Sequence, residues 1–166
     1  MTWQTEMTPI LRFLINDLDS SNYTYADSRL QQSLLVGAQL VSTELTFNKS
    51  YEINVAASSL TPDPTTAPRD DSFINLVCLK SAVIIYGGEL RLAGGKSMKV
   101  VDGPSQIDTS AMYGNYSKLY QSAMEAYNRA RVNYVAGNSI GGQCVSTPFT
   151  YPENTINPTI WNNPRW

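Results

Sequence analysis

The side chains most often enlisted for acid–base and metal chemistry are sparse in this sequence, and histidine is missing from it altogether. Without imidazole there is no commonest general base, no usual partner for a nucleophilic serine and no most frequent transition-metal ligand. Zinc and serine-hydrolase chemistry are therefore not expected. Two carboxylate pairs remain, Asp17 with Asp19 and Asp70 with Asp71, and paired carboxylates can share acid and base roles in glycoside hydrolysis. Both pairs stand at the ends of helical patterns, where acids serve as caps. They are read as caps, and no catalysis is expected.

The stretch Gly94-Gly95-Lys96-Ser97 has the ending of the phosphate-loop pattern GxxxxGK[ST], but Leu90 occupies the position of its first glycine. The preceding residues continue a helical pattern and supply no strand, so a phosphate cradle is not assembled. Cys78 and Cys144 are far apart and lack CxxC spacing, so each is read as a small buried hydrophobe. No cofactor and no metal are expected.

What the chain has in quantity is tyrosine, with ten copies, while charged residues make up only 16%. Interface cores lose Lys, Glu and Asp and gain aromatics, because desolvating a charge costs more than the contact returns. The balance therefore suggests surface covered by partners. A net charge of -2 argues against tight binding to nucleic acid through phosphates. At 166 residues, one domain with an appendage is the prior. No charged stretch leading into an apolar one opens the chain, and no apolar run approaching ~20 residues is seen, so neither export nor membrane insertion is expected.

The elements that must position these residues follow from periodicity. Thr8-Pro9 predicts a first helix, with threonine as cap and proline at the first helical position, carrying Ile10, Leu11, Leu14, Ile15 and Leu18. A second helix begins near Thr24-Asp27, capped by Thr24, with Leu30, Leu34, Ala38, Val41 and Leu45 on its apolar face and Leu35 and Val36 widening it. Between Thr46 and Val55 the period drops to two, through Tyr51, Ile53 and Val55, which reads as a half-exposed strand. The prolines of Thr61-Pro62-Asp63-Pro64 and Pro68 mark a connector. Asp70-Asp71-Ser72 caps a third helix, apolar over most of its circumference and placed at the core centre. Gly87-Gly88 and Gly94-Gly95 are expected to kink or end it. A short strand at Lys99-Val101 then closes in the Asp102-Gly103-Pro104 turn, and a last helix runs over 112–136. Tyr113, Tyr116, Tyr120 and Tyr127 of that helix are candidates for contact with a neighbouring subunit.

The fold expected is mainly α: an antiparallel bundle of about four helices with a small β element, over residues 1–136. Residues 137–166 change character, with Pro148, Pro152, Pro158 and Pro164 interrupting any helix while Val145, Phe149, Tyr151, Ile156, Ile160, Trp161 and Trp166 keep the segment apolar. We read it as an extended arm, and those residues together with Arg165 as its partner-binding set. An arm of this composition buries its aromatics on another chain, or else folds back on its own domain.

The order of elements, and the stretches Tyr23-Thr24-Tyr25-Ala26-Asp27-Ser28-Arg29-Leu30 and Phe73-Ile74-Asn75-Leu76-Val77-Cys78-Leu79-Lys80 with a Pro-Asp-Pro turn between them, resemble the head-to-tail connector proteins of tailed bacteriophages. The likeness spans residues 6 to 136 and rests on helical patterns, with no catalytic signature. It implies a non-enzymatic helical adaptor, a homo-oligomeric ring of about twelve copies that binds the portal protein and offers a platform to a stopper or to tail proteins. DNA would pass through such a ring without tight or sequence-specific binding, and no membrane is involved. The implied location is the virion neck, after assembly in the host cytoplasm. In that family a carboxy-terminal segment commonly reaches onto the portal or a neighbour. The competing readings are a stopper or tail terminator, expected to be richer in strand, and a small bacterial ligand-binding or enzymatic domain.

Overall fold

Trp3, Met7, Leu11 and Ile15 recur every four residues, which lays them along one stripe of a helix. In the computed structural model that stripe is buried on α1 (Trp3–Ile15). The structure describes residues 2–96, 99–102, 105–108 and 110–138. After α1 come α2 (Asp27–Glu44), the strands β1 (Glu52–Asn54) and β2 (Ser59–Thr61), and α3 (Asp71–Lys96). The strands β3 (Lys99–Asp102) and β4 (Ser105–Asp108) precede α4 (Ser110–Asn138). The chain divides into two compact units, Met1–Tyr134 and Val135–Trp166. The second is described only through residues 135–138, the end of α4.

The architecture is mainly α with a small β element, as the periodicity predicted. The strands form two separate antiparallel hairpins, β1 with β2 and β3 with β4. In backbone register Ile53 pairs with Leu60 in the first, and Val100 with Ile107 in the second. The strand expected between residues 46 and 55 shortens to β1. Its partner β2 ends on Thr61, where the proline segment read as a connector begins, and β4 had no alternating apolar signal to announce it.

α1 begins six residues earlier than predicted, and Pro9 lies inside it. Proline removes one helical hydrogen bond at an interior position, a cost of about 3 kcal/mol. Burial of Trp3 and Met7 ahead of it returns about 1.5–3 kcal/mol for each large side chain, which outweighs the loss. Asp63 anchors this extra turn by accepting the Trp3 N–H at 2.8 Å and the Thr65 N–H at 2.9 Å. These bonds outweigh the effect of burial and hold its carboxyl below the usual range. The helix ends at Asn16, in the left-handed conformation at φ 58°, with the Asp17 N–H bonding back to the Arg12 carbonyl. Leu14 and Leu18, assigned to the buried stripe from sequence, are exposed instead.

α2 starts from Ala26, whose side chain makes no cap, so the cap expected of Thr24 is not made. Its buried face is Leu30, Leu34, Leu35, Gly37, Ala38 and Val41, and Val36 points outward. α3 is capped as expected, the Asp70 carboxylate accepting the Phe73 N–H at 3.0 Å. It runs unbroken through all four glycines. Gly87 and Gly94 receive the rings of Tyr120 and Tyr113 from α4, at 3.3 and 3.4 Å from where a Cβ would stand. The helix tolerates them because burial and these seats offset their propensity cost of about 1 kcal/mol each. α3 is also long and apolar enough to cross a membrane by length and composition, which the search for apolar runs did not register. Half of that stretch is buried inside the fold, where Phe73, Ile74, Leu76, Val77, Cys78, Ala82, Val83 and Ile85 make it the core helix.

Helix α2 crosses α3 closely enough at Gly37 that an added Cβ would stand 2.4 Å from Ser81 Oγ and 3.2 Å from the Val77 carbonyl. That hydroxyl is itself fixed, donating to the carbonyls of Val77 and Ser33 at 2.7 and 3.1 Å. Gly37→Ala, which would strengthen an isolated helix, is expected to destabilise this protein by about 1–3 kcal/mol through overpacking. Adding Ser81→Ala should recover part of the loss. Urea melts of the two variants check both signs.

Glu44, at the end of α2, ties that end to its neighbours. It accepts a hydrogen bond from Lys80 of α3 at 2.5 Å and another from the Tyr127 hydroxyl of α4. Burial raises its carboxyl, but these two bonds outweigh that and leave it below its ordinary value of 4.5. A folded-state value below the unfolded one gives stability that is complete above about pH 4.5 and lost as pH falls through the lower, folded value. Glu44→Gln should therefore cost on the order of 1 kcal/mol at neutral pH, discounted for solvent exposure. Thermal melts on a descending pH series should show the gap to the unaltered protein closing below about pH 4.5.

Candidate functional site

The loop from Asn16 to Ala26 turns α1 back along α2, and a buried ion pair organises it. Arg12, near the end of α1, and Asp17, just beyond it, have side chains only 8% and 4% exposed. One guanidinium nitrogen bonds the Asp17 carboxylate, while the other reaches the Tyr25 carbonyl at 2.9 Å and Asp27 at 2.6 Å. Asp17 also accepts the N–H of Thr24 at 2.8 Å and of Tyr25 at 3.3 Å. The Tyr23 ring covers the guanidinium, with the carbon of its fork 3.6 Å from the ring centroid. Asp17 closes the loop on itself through Thr24 and Tyr25, and Arg12 ties both the loop and Asp27 to α1, so the network fixes where α2 begins.

Beside this network lies a groove of about 560 Å³, bounded by α1, the loop and the first turns of α2. Gln4, Thr8, Pro9 and Phe13 line it from α1, Leu18 and Tyr23 from the loop, and Asp27 and Gln31 from α2. Its size is that of sites that hold a small molecule or an anchoring side chain. Its rim carries exposed apolar side chains, Phe13 at 71% and Leu18 and Tyr23 at about half, beside the exposed Asp27 carboxylate.

The carboxylate pairs do not assemble into acid–base partners. Asp17 spends both oxygens inside the ion-pair network, whereas Asp19 accepts the Ser21 N–H in an exposed turn. Asp70 caps α3 and takes the Tyr51 hydroxyl at 2.8 Å, and Asp71 pairs with Arg69 at the surface. Burial, then the bond to Asp70, pushes the Tyr51 phenol well above its ordinary value. Among the described residues no group of three or more Cys, Asp or Glu could hold a metal ion. Gly94 and Gly95 lie within α3, so the phosphate-loop likeness has no loop.

The tyrosines predicted as subunit contacts separate into different roles. Tyr113 is partly exposed and lies over Gly94. Tyr116 and Tyr120 are half-buried, Tyr120 over Gly87. Tyr127 is a correction: at 1% exposure it belongs to the core and bonds Glu44, so it offers no surface to a neighbour. The alternating exposure that would have separated it from its fellows was hidden, because tyrosine suits both a core and an interface. Of the arm set, Val145, Phe149, Tyr151, Ile156, Ile160, Trp161, Arg165 and Trp166 all lie outside the described residues. The groove itself escaped the sequence reading. Its one usable signal was the pair of apolar residues Phe13 and Leu18 flanking Arg12 and Asp17, charges that read as ordinary surface.

Comparison with protein-family models, with curated proteins and with solved structures returns no match to this chain.

Proposed function

We propose that this chain is a structural head-to-tail adaptor of a tailed bacteriophage, one of a ring of about twelve copies that binds the portal and carries the next neck protein or the tail. The observation that carries the reading is how much large apolar side chain its helices turn outward. Phe13 and Leu14 do so at the end of α1, and Val36 and Leu40 on α2. On α4, Met112 and Leu119 share one face, and Val132 with Val135 another. Exposed apolar surface in separate places suits a subunit with neighbours on several sides. The mainly helical architecture favours an adaptor over the strand-rich stopper and terminator alternatives. A net charge of -2 suits a wall that DNA slides past without tight phosphate contacts. The arm, residues 137–166, supplies aromatic anchoring on another chain.

Deleting residues 145–166 is expected to leave a folded monomer, with unchanged helical circular dichroism, that no longer assembles on its portal. Completion of infectious particles by the truncated protein would overturn the role assigned to the arm.

A further inference from the structure

We propose that residues 87–95, the far end of α3, open and close as a unit separate from the core, and that Tyr25, by holding Glu89, couples this motion to the loop between α1 and α2. The device goes beyond the adaptor reading and does not depend on it.

The core gives out partway along α3. Ile85 is the last buried residue of the helix, and residues 86–95 are all half-buried or exposed. On α4, no residue from Met112 to Ala126 is buried either. What joins the two helices here includes the rings of Tyr113 and Tyr120, laid on Gly94 and Gly87. A segment with so little buried surface opens at a lower free energy than the core it continues.

The glycines lower that free energy further. A Cβ at Gly88 or Gly95 would meet nothing within 4 Å, so packing requires neither glycine. Each weakens the helix relative to alanine all the same. Residues 87–95 hold four glycines, and residues 73–85 hold none. The two halves of one continuous helix therefore differ sharply in what it takes to unwind them.

Glu89 follows the first glycine pair and is the point at which this end of α3 is fastened. Its side chain is 18% exposed, pairs with Arg29 at 3.2 Å and accepts from the Tyr25 hydroxyl. The Arg29 side chain is 52% exposed, so that ion pair is screened and weak, and the half-buried Tyr25 supplies the more sheltered bond. The backbone of Tyr25 belongs to a different structure. Its carbonyl accepts from Arg12 at 2.9 Å and its N–H donates to Asp17 at 3.3 Å. One residue thus grips α3 with its side chain and the α1–α2 loop with its main chain. Two elements that share such a contact bias each other, and the coupling is reciprocal.

The test is amide hydrogen exchange on the full-length chain, read residue by residue by NMR. Protection over 89–95 is expected to be at least about tenfold lower than over 74–84. Gly88→Ala with Gly95→Ala should raise it about tenfold. Tyr25→Phe keeps the ring and removes the hydroxyl, and should lower protection over 89–95 at least about threefold while leaving 74–84 unchanged. In the other direction, Glu89→Ala should speed exchange of the Thr24 and Tyr25 N–H groups, which rest on Asp17, by a similar factor. Uniform protection from 74 to 95, or no response to the two alanines, would overturn the separate unit. A Tyr25→Phe chain with unchanged protection over 89–95, or a Glu89→Ala chain with unchanged Thr24 and Tyr25 amides, would overturn the coupling.

Discussion

Arg12→Met is expected to destabilise the protein by about 3–5 kcal/mol, because it leaves the Asp17 carboxylate buried without its cation. Asp17 is 6% exposed, and the two backbone N–H groups it also accepts cannot replace a guanidinium in neutralising it. The loss falls on the loop that sets the start of α2, so the groove should deform as well. A second change separates charge from packing. In the Arg12→Met, Asp17→Asn double variant no net charge is left inside, and the asparagine carbonyl can still accept the shorter bond from Thr24, while the amide nitrogen in place of the other oxygen forfeits the longer one from Tyr25. Most of the stability should return, since exchanging a whole buried pair for neutral groups is far cheaper than halving it. Guanidinium melts of the single and double variants decide the matter. Equal losses in both would show that the cost lies in Arg12's own contacts and not in a stranded Asp17 charge.

Phe73→Ala should cost a similar amount, about 3–5 kcal/mol, for the cavity it opens in the core. Phe73 is fully buried at the start of α3. Its ring stacks on Tyr51 with centroids 3.8 Å apart and meets Phe47 edge-on at 5.1 Å. Phe47 in turn packs on Tyr134 at 5.0 Å, so one ring joins the segment after α2, the start of α3 and the end of α4. Phe73→Leu retains most of the volume and forfeits the ring contacts, which contribute about 0.5–1.5 kcal/mol each. Its loss should therefore be clearly smaller than that of the alanine variant. A denaturation midpoint moved by less than the equivalent of about 1 kcal/mol in Phe73→Ala would mean the cluster collapses around the gap.

The residues that could be read directly were those obeying a single rule. Leu30, Leu34, Ala38 and Val41 keep helical spacing, and the structure buries all four. Asp70 stands ahead of an apolar run and caps it. Where two rules competed, the weaker-looking one prevailed. Thr8-Pro9 carries the signature of a helix start, yet Trp3 and Met7 gain enough by burial to draw the helix back past it. The four glycines of α3 speak for an ending, yet a helix buried on most sides keeps going, and two of those glycines make room for tyrosines. The groove could not be read at all. Its floor is a pair of charges, which sequence patterns assign to the surface, and it depends on a loop bringing the backbone N–H groups of Thr24 and Tyr25 onto Asp17. The aromatic arm was noticed from composition alone, and composition names no address for it.

Cys78 has a practical use. It is fully buried in α3, and burial pushes its thiol up to about 12. A protonated, enclosed sulfur is inert to alkylating reagents, which attack thiolate. With Cys144 exchanged for serine, the labelling rate at this one atom would time how often the core parts, giving an internal clock for breathing in the free subunit and in any assembly that clamps it shut.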